Sequence, residues 1–215
     1  MNYIDPDGKD DYFDKYGNFQ YRDNKETDYI MVQLDNGEYQ NLIEFDYSDD
    51  QIDNRKMLSN IATYYMNEAG IDGECRVKTL SQKEYEKYGE GFASVNPKTL
   101  LASIRVFDGR VSANANTASN LINAFVHEDV HVGGDNNEIH AILQQMRHRS
   151  WGTATSTFKF GIIGYAITKL NDPEFLLEWT REFYYVPLPL SQYIWYDDKC
   201  NIFGPCIEVF ISPKK

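Results

Sequence analysis

All four histidines of this chain fall between Thr117 and Arg149, at positions 127, 131, 140 and 148. Two of them frame the run His127-Glu128-Asp129-Val130-His131, which fits the pattern H-E-x-x-H. Residues four apart lie one above the other on an α-helix, so both imidazoles can address one point, and that point suits a divalent metal ion. Glu128 is turned about 100° from His127 around the same helix and can reach a water on that metal without being a ligand. Zinc brings the pKa of such a water towards neutrality, and a carboxylate beside it can take the proton and pass it to a departing amine. The chemistry implied is hydrolysis of an amide.

A catalytic zinc takes three protein ligands and keeps one position open. Glu138, seven residues after His131, is the first candidate for the third place, because a turn at Gly133-Gly134 could fold a second helix back onto the first. His140 and Asp135 are its rivals. Glu138 also fits as the last member of a capping box, Asp135-Asn136-Asn137-Glu138, in which case its carboxylate would serve the helix start.

The histidines need a helix with a packed back and an open front. From a cap at Asn116 or Thr117, Leu121, Ile122, Phe125 and Val126 form an apolar stripe opposite His127 and His131, and Gly133-Gly134 supplies the stop. Asp129 falls among the back positions and fits that stripe poorly. The second helix would present Ile139, Ile142, Leu143 and Met146 to the interior, with Glu138 on one flank and His140 on the other. The plainer alternative is a structural helix pair with a solvated or core-satisfied pair of histidines.

His127-Glu128-x-x-His131 followed by Glu138 and Ala141 resembles the zincin metallopeptidases, in particular their glutamate-liganded branch. The resemblance implies His127, His131 and Glu138 as zinc ligands and Glu128 as general base and then acid. The branch with H-E-x-x-H-x-x-G-x-x-H matches at Gly134 but has Asn137 where the third histidine belongs.

At 215 residues the chain suits one domain with a sizeable core and a small appendage. A net charge of -12 argues against nucleic acid or an anionic membrane as a partner, since either would repel it. The start Met1-Asn2-Tyr3-Ile4-Asp5 is polar and acidic, unlike a signal peptide. Three cysteines, Cys75, Cys200 and Cys206, do not make a disulfide framework; Cys200 and Cys206 could close a small loop or stay free thiols.

Residues 1–33 read as a hairpin-rich segment, with turns at Pro6-Asp7-Gly8 and Tyr16-Gly17-Asn18, and residues 34–215 as the main domain. The aspartates at 5, 7, 10 and 11 lack EF-hand spacing and read as a solvated turn. Asn2-Tyr3-Ile4-Asp5-Pro6-Asp7-Gly8 resembles the boundary that ends the core of RHS-repeat polymorphic toxins. That resemblance implies an effector domain delivered into a target cell by a bacterial secretion system, with a dedicated immunity protein in the producer. Lys9 stands where a leucine often follows in that family, so self-cleavage at this point is not carried over.

Further along, Asp35-Asn36-Gly37 between YIMVQL and EYQNLIEF predicts a hairpin. Asp49 or Asp50 would cap a helix running to Ala69, with Met57, Ile61 and Tyr64 or Tyr65 on one face. A strand near 75–80 and a polar helix over Ser81–Gly89 follow, then strands at 92–95 and 99–107. Residues 100–106 are the candidate sheet edge for pairing with an extended peptide. Helices are expected over 153–170 and 173–183, with late strands near Ile194 and 207–211. His148, Tyr165, Tyr184 and Tyr185 are candidates for stabilising an oxyanion.

Together these readings predict a single α+β, zincin-like domain acting as a zinc-dependent endopeptidase toxin on a protein or peptide. A non-catalytic interaction module and a zinc amidase acting on a cell-wall amide are the alternatives.

Overall fold

The computed structural model describes residues 9–25, 27–88, 92–96, 99 and 101–169. The chain divides into two compact units, Met1–Lys159 and Phe160–Lys215. The class is α+β, as expected, with two small mixed sheets. Residues 2–8, the helix expected over 173–183, the late strands, and Cys200 with Cys206 lie outside the described residues.

The first sheet begins with a hairpin of β1 (Asp11–Phe13) and β2 (Phe19–Arg22). Gly17 in its turn has φ +83°, and a Cβ there would collide with the carbonyl oxygen of Met57, so glycine is required twice over. A second hairpin, β3 (Ile30–Gln33) and β4 (Tyr39–Asn41), closes around Asp35-Asn36-Gly37 with Gly37 at φ +84°. β1 lies inside the sheet, order β2-β1-β3-β4, and runs parallel to β3. The strand expected to continue to Phe45 stops at Asn41, whose side chain accepts from the N–H of Ile43 and starts a 3-10 turn, Leu42–Glu44.

Asp10 and Asp11 are not solvated but buried. Burial demands partners: Asp10 accepts from the Thr27 hydroxyl (2.6 Å) and the Tyr29 N–H (2.8 Å). Asp11 is bridged by two nitrogens of Arg22 and takes the Tyr65 hydroxyl at 2.7 Å.

Tyr65 belongs to α1 (Ile52–Glu68), which buries Met57, Leu58, Ile61, Ala62, Tyr65 and Met66 at helical spacing. Neither Asp49 nor Asp50 caps it: Gln51 is the N-cap, with no side-chain cap bond, while Asp49 is held by the Thr79 hydroxyl (2.7 Å) and Arg55 (3.1 Å). It ends at Gly70, φ +99°, in a Schellman pattern with Gly70 N–H on Asn67 and Ile71 N–H on Met66.

The second sheet comprises β5 (Cys75–Thr79), β6 (Ala93–Val95), β7 (Ala102–Phe107) and β8 (Arg110–Val111), with α2 (Gln82–Tyr88) between β5 and β6. β7 pairs with β5 in parallel on one side and with β6 and β8 on the other. The expected edge at 100–106 is therefore an interior strand, with Ala102, Ile104 and Val106 buried. Its run of alternating apolar residues suits a central strand, and β5 and β6 lie at the two edges.

The helical part holds α3 (Ala118–Val132), α4 (Glu138–Arg147), α5 (Ser150–Thr153) and α6 (Ser156–Lys169). The single helix expected over 153–170 is split at Ala154-Thr155, where the Asn120 side chain accepts from the Thr155 N–H (2.9 Å) and donates to its hydroxyl (3.0 Å). Among the described residues no helix is long and apolar enough to cross a membrane.

Candidate metal centre

α3 is positioned at both ends. Thr117 is the N-cap, accepting from the Asn120 N–H, and Asp28 closes the remaining donors: its carbonyl takes the Ala118 N–H (3.1 Å) and its carboxylate the Ser119 N–H (2.9 Å). Asp28 is buried at φ +60°, and burial pushes its carboxyl up to about 7. At the other end Gly134, φ +89°, forms a Schellman motif, its N–H on His131 and the Asp135 N–H on Val130. Leu121, Ile122, Phe125 and Val126 are buried, and Asp129, the misfit in the stripe, is exposed.

With the helix back packed, His127 and His131 stand on its front with their Nε2 atoms 3.2 Å apart. The turn then brings α4 back. Its N-cap is Asn137, whose side chain accepts from the Ile139 N–H (2.9 Å), so Glu138 is the first helical residue and not the end of a capping box. Its two carboxylate oxygens lie 3.3 Å from His127 Nε2 and 3.5 Å from His131 Nε2. The donor atoms of His127, His131 and Glu138 all fall within 4.8 Å of one another. Asp135 and His140, the rival ligands, instead contact each other at 2.6 Å, outside this group.

The outer ring nitrogens are engaged as a metal site requires. His127 Nδ1 lies 3.0 Å from Gln145 Oε1, and His131 Nδ1 lies 2.7 Å from the backbone oxygen of Asp135. Both Nε2 atoms are thereby left facing Glu138. The hydrogen bond that His131 donates to Glu138 raises the imidazole to about 9, and the hydrogen bonds from His127 and His131 hold the Glu138 carboxyl far below its ordinary range. The three together are a carboxylate between two imidazoles, a donor set that fits a zinc-like cation.

Glu128 stands apart from the three. It accepts the backbone N–H of Val95 at 2.9 Å, and burial raises its carboxyl above the usual range against the pull of that bond. Val95 lies on β6. Phe92 bonds Arg105 of β7 and Asn96 bonds Leu101 just before it, so by alternation Ala93 and Val95 turn their backbone groups to the other side, over α3. Among the oxyanion candidates, His148 bonds the Ser150 hydroxyl (2.8 Å) and burial lowers its pKa; Tyr165 belongs to the second unit, and Tyr184 and Tyr185 lie outside the described residues.

Three participants escaped the sequence reading: Gln145, Asp28 and the N–H of Val95. Gln145 left a faint signal, since it falls seven residues after Glu138 and so lies on the same face, a polar residue beside an apolar stripe. The other two left none, because one is a loop residue far from the motif and the other is a backbone group.

A family model described as metallopeptidase toxin 2 matches residues 11–187. No curated protein and no solved structure matches.

Proposed function

Because the chain belongs to the metallopeptidase toxin 2 family, we propose that it is a zinc-dependent endopeptidase, the effector part of an RHS-type polymorphic toxin. It would be delivered into a target cell and held harmless in the producer by an immunity protein. The observation that carries the peptidase reading is the convergence of His127 Nε2, His131 Nε2 and the Glu138 carboxylate, with Glu128 beside them but not among them.

In this reading His127, His131 and Glu138 hold the ion. Bound there, zinc supplies Lewis-acid polarisation of the scissile carbonyl and acidifies a water. Glu128 takes the proton as the water's oxygen bonds to the carbonyl carbon, and gives it to the amide nitrogen as the carbon–nitrogen bond breaks. Its raised pKa makes it the stronger base for the first of these transfers, and the Val95 N–H holds the carboxylate in place for both. β6 is an edge strand over α3, and its outward backbone groups other than the Val95 N–H, which Glu128 holds, would pair with an extended substrate.

The test is elemental analysis of the purified wild type and Glu128→Gln, together with cleavage of an unstructured protein and toxicity on expression in bacteria. One zinc per chain in both, with cleavage and toxicity in the wild type alone, is expected. A wild type that takes up no zinc on titration overturns the metal centre. Zinc binding with cleavage of peptidoglycan and not of protein moves the activity to a cell-wall amidase.

A further inference from the structure

We propose that Gln145 is the positioning residue that selects the metal-binding tautomer of His127. The assignment rests on the metal-centre reading above. Gln145 is buried on α4, with Oε1 3.0 Å from His127 Nδ1 and Nε2 donating to the backbone oxygen of Asn123 at 3.2 Å. The second bond decides the first. A carboxamide has one end that donates and one that accepts. Asn123 presents a carbonyl oxygen, so the amino end of Gln145 must face it. The oxygen end is then left for the imidazole, which must place a proton on Nδ1 to use it. With the proton on Nδ1, the lone pair of neutral His127 sits on Nε2, facing His131 and Glu138. Turned over, the amide would set oxygen against oxygen at Asn123 and put the His127 proton on Nε2, where the metal belongs.

The amide is itself held in place. The Asn123 side chain donates to the Gln145 backbone oxygen (2.9 Å) and to the Ser150 hydroxyl (3.0 Å). Asn123 and Gln145 thus bond each other reciprocally across α3 and α4. Asn123 lies one turn before His127 on the same helix face, so the clamp sits directly beneath the imidazole it orients. Its own Oδ1 is buried without a partner among the described residues, a cost that keeping both donor hydrogens on Gln145 and Ser150 imposes. His131 differs: its Nδ1 meets a backbone oxygen, which no substitution removes. Of the two histidines at the centre, only His127 meets a side chain at Nδ1, which makes the proposal testable.

The full-length chain is compared as wild type, Gln145→Met and Gln145→Glu. Zinc affinity is measured by competition with a chromophoric chelator, and solvent exchange of the His127 Nδ1–H by NMR on the zinc-loaded protein. Expected are an affinity loss of about 10–100-fold for the Met variant, a smaller loss in the Glu variant, which still accepts from Nδ1–H but sets an oxygen against the Asn123 carbonyl, and a slowly exchanging Nδ1–H in the wild type. If the Met variant binds zinc as tightly as the wild type, or Met and Glu weaken it equally, Gln145 only packs the helices. The wild-type proton needs no variant: rapid exchange of it refutes the hydrogen bond. A wild type that binds no zinc removes the metal centre itself, an outcome separate from all of these.

Discussion

Replacing Asp28 with asparagine tests the electrostatics of the joint between the first sheet and α3. The carboxyl is raised by burial from 3.8 to about 7, and the N–H of Ser119 only partly offsets that. A carboxyl whose pKa is higher in the folded state binds its proton there while the unfolded chain has already lost it, so stability falls as pH rises between the two values. At about 1.4 kcal/mol per pH unit, the loss is about 3 kcal/mol from pH 5 to 7, as an upper limit, and levels off above that. Asparagine carries no charge, keeps an oxygen for the Ser119 N–H, and tolerates the left-handed backbone at φ +60°. Urea unfolding of wild type and Asp28→Asn at pH 5, 6, 7 and 8, with chelator present so that metal binding does not enter, should give curves that diverge with pH. Asn should be the more stable above neutrality. Parallel curves would refute the claim that Asp28 is forced to hold its proton.

Other substitutions probe the site and its frame. Glu128→Gln should keep the bond to the Val95 N–H and the zinc stoichiometry while lowering peptide cleavage by about 10²–10⁴-fold, read by a fluorogenic peptide. Glu138→Ala should weaken zinc binding while His140→Ala leaves it unchanged, since His140 bonds Asp135 outside the donor group; equal losses in a chelator competition would reinstate His140 as a ligand. Gly134→Ala should cost about 1–2 kcal/mol in denaturant unfolding, because no atom lies within 4 Å of an added Cβ and the penalty is that of the left-handed backbone alone. Arg22→Met leaves the Asp11 carboxylate buried without its cation and should cost about 3–5 kcal/mol in the same assay.

The motif helix was legible because the devices that mark it, Asp28 apart, are local. The Thr117 cap, the stripe of Leu121, Ile122, Phe125 and Val126, and the glycine stop are all written within twenty residues. Glu138 could be placed near the histidines for the same reason, since one short turn joins the two helices. Strand order was not legible: β6 and β7 have similar alternation, and only pairing with β5, some twenty-five residues earlier in the register Cys75↔Ala102, makes β7 interior. The break at Ala154-Thr155 depends on Asn120, a residue in another helix. Buried Asp10 and Asp11 misled because a cluster of acids looks solvated until Thr27, Tyr29, Arg22 and Tyr65 are seen to enclose it.

The two ends of α3 are finished on different schedules. Its C-terminus is closed by residues 133–135, which can form as soon as the helix does. Its N-terminus waits for Asp28, 91 positions earlier in the chain. Closing a loop of that length costs about 4 kcal/mol in chain entropy before any contact returns it. On chain entropy alone, the joint between Asp28 and α3 is later to settle than the turn at residues 133–135.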